Sequence, residues 1–169
     1  DQCTFDGNFS DYQGGALRID AEASATVQIV HSDWIDNWAE YSGGAISVQV
    51  NDLLEVSATD SAFERNYSAQ EGGVLETEAS TSVVDLQGCV LDDNTSISRG
   101  GGLALRADQG EAVLSDCELT GNSGSQGGAI YSELDLLDLD GVTLSGNWGT
   151  AGGAILQGSV LHGTSLESA

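Results

Sequence analysis

Few side chains in this sequence are of types that could carry chemistry, and their spacing decides how far each can be taken. A glycosidase needs two carboxylates at a defined separation. A polysaccharide lyase needs carboxylates that gather calcium, with a basic residue near the abstracted proton. Asp92 and Asp93 are adjacent carboxylates, His162 precedes Gly163 near the C-terminus, and the arginines are Arg18, Arg65, Arg99 and Arg106. Neither the carboxylate pair nor the histidine is accompanied by the other parts of a sugar-cleaving site, so no catalytic residue is assigned.

The remaining reactive types are equally sparse. Cys3, Cys89 and Cys117 include no CxxC and no Cys/His spacing suited to zinc. No DxDxDG loop or nonapeptide calcium repeat occurs, so no metal ligand and no cofactor is expected beyond loosely bound calcium. Asn8, Asn66 and Asn94 each open an Asn-x-Ser triplet, the acceptor pattern for N-glycosylation.

The charge balance narrows the partners. The 169 residues carry 27 Asp and Glu against four arginines and no lysine, a formal charge of −23. Nucleic acid and anionic membrane surfaces would be repelled. No apolar run reaches the roughly 18 residues of a membrane-spanning segment, so direct membrane insertion is not expected, and no signal-peptide pattern opens the chain. Without any methionine, the sequence reads as an excerpt or processed part of a longer protein. Acidity without lysine suits salty or calcium-rich surroundings, where screening relieves self-repulsion, and points to an extracellular or cell-surface location.

What must position these side chains is a repeat. Six times an aromatic residue or leucine is followed by two variable residues and an asparagine, and a glycine pair with aliphatics comes shortly after. The first phrase reads FDGN, WIDN, FERN, LDDN, LTGN and LSGN. The second reads GGAL at 14–17, GGAI at 43–46, GGVL at 72–75, GGLA at 101–104, and GGAI at 127–130 and 152–155. Asn8, Asn37, Asn66, Asn94, Asn122 and Asn147 mark the period of 25 to 29 residues. Such a period fits a leucine-rich repeat or a long-rung β-solenoid.

Column chemistry separates the two. Phe5, Trp34, Phe63, Leu91, Leu119 and Leu144 form one inward column, and Cys3, Ser32, Ser61, Cys89, Cys117 and Val142 another. Upstream, apolar pairs such as Val27/Ile29, Val56/Ala58 and Val84/Leu86 enclose polar Gln28, Ser57 and Asp85, the period-two signature of a strand. After the glycines, Leu17, Ile46, Leu75, Ala104, Ile130 and Ile155 are expected inside, with Arg18, Ser47, Glu76, Leu105, Tyr131 and Leu156 outside. On this register Arg18 and Arg106 stand one position apart. No helical stripe and no leucine-rich spacing appears. The expected fold is all-β: a right-handed parallel β-helix of about six coils of 25–29 residues, forming one β-helix domain over residues 1–169.

The columns also rank the candidate sites. The glycine pair suits a corner needing positive φ or close backbone approach. The asparagines suit a structural ladder in which side-chain amides bond along the axis, which competes with glycosylation of Asn8, Asn66 and Asn94. Cys89 and Cys117 fall on adjacent coils, where buried thiols are favoured over a disulfide because parallel side-chain vectors fit the bond poorly. One residue past each asparagine stand Phe9, Trp38, Tyr67, Thr95, Ser123 and Trp148. The four aromatics, Phe9, Trp38, Tyr67 and Trp148, are the candidate contact surface.

These phrases resemble the repeat of the chlamydial polymorphic outer membrane proteins and related surface β-helix proteins. The resemblance implies a secreted or surface-displayed passenger used for adhesion or for building an extracellular structure. Phe gives way to Leu in the last three coils, and the family's β-barrel anchor is absent from this stretch. The expected function is therefore non-enzymatic, adhesive or structural, with end-to-end assembly into a filament or surface appendage. Expected partners are further copies, neighbouring domains of the parent chain, or surface glycans. The alternative is a carbohydrate-active enzyme on the same scaffold. Ice binding ranks third, since flat TxT arrays are missing.

Overall fold

The computed structural model describes residues 1–158; the expected terminal strand at 159–161 and the His162–Gly163 pair lie outside them. The described chain is all-β, with parallel strands stacked as a solenoid of about six turns. One sheet collects the strand that precedes each asparagine: Thr4–Asp6, Asp33–Ile35, Ala62–Glu64, Val90–Asp92, Glu118–Thr120 and Thr143–Ser145. A second holds Phe9–Ser10, Trp38–Ala39, Tyr67–Ser68 and Thr95–Ser96. The third and widest begins after the glycine pairs.

In the wide sheet the coils differ at one bend. The first two break there, giving Leu17–Ala21 with Ala25–Val30 and Ile46–Val50 with Leu53–Thr59. The next two run straight through as Leu75–Gln87 and Leu103–Ser115. The third coil spends one residue fewer at the bend, between the Gln49–Glu78 and Leu53–Thr81 pairs, which lets a single strand continue.

The register corrects one expectation. Leu75 pairs with Leu103, and Glu76 with Ala104. The glycine pair of the fourth coil is therefore Gly100–Gly101, and the inward residue is Leu103 rather than Ala104; Leu105 is also buried. Three consecutive glycines, Gly100 to Gly102, make the phrase ambiguous by one place, and one place exchanges the two faces of a strand. By the same correction Arg106 aligns with Glu78 and, through Gln49, with Asp20, so it stands two positions from Arg18.

The glycine corner has two separate causes. The first glycine adopts positive φ, 66° at Gly43. The second cannot carry a side chain, because a Cβ on Gly44 would fall onto the carbonyl oxygen of Gly73 in the next coil. Two further corners per coil also have positive φ but accept other residues: His31 and Asp60 in one, Asp36, Arg65 and Asp93 in the other. Such residues cost roughly 1–2 kcal/mol each there relative to glycine.

The core is a set of axial stacks. Phe5 and Trp34 stack with centroids 3.9 Å apart, and Trp34 and Phe63 at 6.2 Å; Leu91, Leu119 and Leu144 continue the column. Beside it, the Cys/Ser column bonds along the axis. The Ser32 N–H donates to Ser61 Oγ at 3.0 Å, and the Cys89 N–H to Cys117 Sγ at 3.4 Å. Each hydroxyl or thiol then donates to a carbonyl on its own coil, Ser61 to Thr59 at 2.9 Å and Cys117 to Ser115 at 3.3 Å. All three cysteines are free, Cys89 and Cys117 buried and Cys3 exposed.

Candidate contact surface

The asparagine column sets the geometry of the face beside it. The Asn37 side chain donates through Nδ2 to Asn66 Oδ1 at 2.9 Å and to the Phe5 carbonyl at 2.9 Å, while its backbone N–H reaches the same Asn66 oxygen at 3.0 Å. Asn66, Asn94 and Asn122 repeat the pattern, and Asn8 and Asn147 form the two ends. Each interior amide thus donates both hydrogens and its oxygen accepts twice. Asn66 and Asn94 are fully buried, with no amide hydrogen left over for a glycan, whereas Asn8 is exposed. An asparagine held inward turns the next residue of the strand outward.

That next residue is the aromatic column. Phe9, Trp38, Tyr67 and Thr95 are in register, and Ser123 and Trp148 continue the line. Phe9 is 52% exposed, Trp38 38% and Trp148 61%. Phe9 and Trp38 have centroids 4.8 Å apart, and Trp38 and Tyr67 5.8 Å, tilted by 45° and 51°. Three of the four candidate aromatics therefore form one ladder. Trp148 is separated from it by the Thr95 and Ser123 coils.

A second ladder was not anticipated. Tyr12 and Tyr41, both exposed, meet at 5.0 Å with a 55° tilt, and the Arg18 guanidinium lies 4.7 Å over the Tyr12 ring. The signal was present, because Tyr12 follows Asn8 at the same distance as Tyr41 follows Asn37. Asp11 and Glu40 stand between the ladders along the chain, both exposed.

On the wide sheet, the face expected to meet solvent carries a partly buried ionic cluster centred on Glu76. Glu76, expected outside and exposed, is 0% exposed. The chain just before the glycine corner brings Glu71 and Arg99 against this face. Glu76 accepts from Ser47 Oγ at 2.8 Å and pairs with Arg106 at 3.2 Å; Arg106 also holds Glu71 at 3.3 Å and Glu78 at 3.2 Å. Arg99 pairs with Glu71 at 3.3 Å and lies 4.9 Å over the Tyr131 ring. Burial raises the Glu76 carboxyl above its ordinary range, against the opposing pull of Ser47 and Arg106. Burial and the bond to Glu133 push the Tyr131 hydroxyl up to about 12.

Next to this cluster an open trough of about 750 Å³ crosses the first four coils, lined by residues including Asp20, Glu22, Gln49, Asn51, Glu78 and Asp108. A smaller hollow of about 180 Å³ continues it past Arg106 to Glu133. Among the described residues no His, Cys, Asp and Glu group is arranged to hold a metal ion. The Asp92–Asp93 pair is not presented as a unit: Asp92 accepts from Thr120 Oγ1, and Asp93 sits exposed at a positive-φ corner. No helix among these residues is long and apolar enough to cross a membrane.

Residues 2–20 and 116–133 match the Chlamydia polymorphic membrane protein repeat. Each stretch contains one asparagine phrase and the glycine pair that follows it, FDGN with GGAL and LTGN with GGAI. The match agrees with the parallel β-solenoid and with the resemblance drawn from the repeated phrases. No curated protein and no solved structure matches the chain.

Proposed function

We propose that this chain is a non-enzymatic solenoid of an extracellular or cell-surface protein, adhesive or structural in role, whose contacts are made through its aromatic face. The observation that carries the reading is the Phe9–Trp38–Tyr67 ladder, exposed at Phe9 and Trp38 and half-buried at Tyr67, beside the exposed Tyr12–Tyr41 ladder. Large aromatic rings are normally spent on the core, so a grouped, exposed set favours a contact surface. The repeat match, to a family described as membrane proteins, supports display at a surface. Beads coated with the chain should adhere to cells or to immobilised matrix and glycan panels. The F9S/W38S/Y67S variant should lose that adhesion while keeping its strand-type circular dichroism. Undiminished adhesion of a folded variant would remove the face from the reading.

Structural use along the axis belongs to the same proposal. Thr4–Asp6, Phe9–Ser10 and Leu17–Ala21 each form an edge of their sheets. Unpaired edge groups are templates for further strands, supplied by another copy or by a neighbouring domain of the parent chain. Head-to-tail contact builds a filament unless its rotation closes, and screening by salt or calcium should promote it. Light scattering across salt and calcium concentrations tests this; a monomer under all conditions would confine the role to lateral contacts.

The trough supports the second reading, a carbohydrate-active enzyme. Release of reducing or unsaturated ends from a panel of polysaccharides, abolished by Glu78→Gln or Glu133→Gln, would replace the non-enzymatic reading.

A further inference from the structure

The aromatic face combines ring faces with carboxylates, and its one cation, Arg18 over Tyr12, is already paired with Asp20. All four arginines are already engaged: Arg18 with Asp20 at 2.8 Å, Arg65 with Asp36 at 2.9 Å, Arg99 with Glu71, and Arg106 with Glu71, Glu76 and Glu78. With a formal charge of −23, no lysine and every arginine paired, the chain has no free basic side chain of these types with which to recruit an anionic partner. An anionic glycan is thereby disfavoured on this face, and a cation is favoured.

The ring geometry points the same way. The rings of Phe9, Tyr12, Trp38 and Tyr41 are all exposed, so part of each stays open to a partner. A ring face carries the negative side of the aromatic quadrupole and attracts a guanidinium or ammonium. The molecule already makes this contact on this face, with Arg18 placed 4.7 Å over Tyr12 and paired with Asp20, and again on the wide sheet, with Arg99 4.9 Å over Tyr131. Phe9, Trp38 and Tyr41 have no such cation, while Asp11 and Glu40 lie beside them ready to pair with one.

We propose that the face formed by Phe9, Tyr12, Trp38 and Tyr41 with Asp11 and Glu40 binds an arginine- or lysine-bearing segment of a partner polypeptide. Side chains of that segment would stack on the rings as Arg18 does on Tyr12 and pair with the two carboxylates. This names the partner chemistry of the contact surface proposed above and rests on that reading.

The test is calorimetric titration of the 169-residue chain with an unstructured peptide of alternating glycine and arginine, against a glycine–glutamate peptide and a neutral glucan oligosaccharide. Only the arginine peptide should bind. W38A/Y41A leaves the net charge unchanged and should weaken binding about tenfold, the loss of two exposed cation–π contacts. D11N/E40Q should weaken it more than D85N/D138N, which removes the same charge from two strands of the wide sheet. If W38A/Y41A loses its circular dichroism spectrum, F9A/Y12A asks the same question. Equal affinity for wild type and the ring variant, or equal effects of the two charge variants, would show that binding follows net charge alone and overturn the proposal. Binding of the neutral oligosaccharide instead of the peptide would also overturn it. Adhesion that depends on the rings without any peptide binding would leave the contact surface standing and remove only the cationic partner.

Discussion

Asn66 and Asn94 are joined twice: Asn94 Oδ1 accepts from the backbone N–H of Asn66 at 2.9 Å and from its Nδ2 at 3.0 Å. The same Nδ2 donates its other hydrogen to the Trp34 carbonyl at 2.8 Å. One side chain therefore ties three consecutive coils and is fully buried from solvent.

Asn66→Ala removes the acceptor for the Asn37 N–H and Nδ2 and the donor to Trp34. A buried polar group left unpaired costs about 1–3 kcal/mol, so the variant should lose roughly 3 kcal/mol or more. Asn8→Ala, at an exposed end of the ladder, should lose under about 1 kcal/mol. Urea unfolding of both variants checks this, and equal losses would mean that burial does not set the ladder's worth.

Phe63→Ala should cost roughly 3–5 kcal/mol, since it opens a cavity in a stack that the flanking coils hold apart. Chemical denaturation measures it. A cost below about 1 kcal/mol, the range of a surface change, would place Phe63 outside the core.

Glu76 predicts a pH dependence. Its carboxyl is raised in the folded state above the ordinary value of 4.5, so the folded chain binds its proton more tightly than the unfolded chain. Its contribution is fully favourable below the unfolded value and is lost as pH rises through the raised folded one. Glu76→Gln has no such proton, so the stability of the variant relative to wild type should increase as pH rises through that window. Denaturation curves of both proteins across acidic to neutral pH give the difference. A flat difference would mean that Glu76 titrates normally.

The second glycine of the corner should be intolerant. Gly44→Ala places a Cβ on the Gly73 carbonyl oxygen, so the cost should reach or exceed the about 3 kcal/mol usual for overpacking. Gly7, unlike Gly44, has positive φ, and nothing lies within 4 Å of its Cβ position. Gly7→Ala should cost only about 1–2 kcal/mol, the backbone penalty alone. Thermal unfolding separates the two cases.

Thiol reactivity reads the cysteine column. Cys3 should react with a thiol reagent in the native protein, with Cys89 and Cys117 reacting only after unfolding. The hydrogen bond to Cys117, and then burial, raise the Cys89 thiol further from its reactive form. Fewer than three reactive thiols in denaturant without reductant would reveal a disulfide.

The coil and its columns follow from residue order alone. A period-two alternation assigns each side chain to one face of its own strand, and the recurring asparagine and glycine phrases align one coil on the next. The Phe5–Trp34–Phe63 stack and the outward Phe9–Trp38–Tyr67 line were legible on that basis, because both depend on local geometry repeated in phase. What covers a face is not local, and only the tertiary structure decided it. Glu76 lies on the outward side of its strand yet is buried, because Glu71, Arg99 and Arg106 converge there from other parts of the coils. The fourth coil slipped by one place because three glycines in a row offer two alignments, and only backbone pairing between coils selects Gly100–Gly101. His31 and Asp60 are of types that tolerate a left-handed corner, but Arg65 is not, and closure of the coil imposes that turn on it.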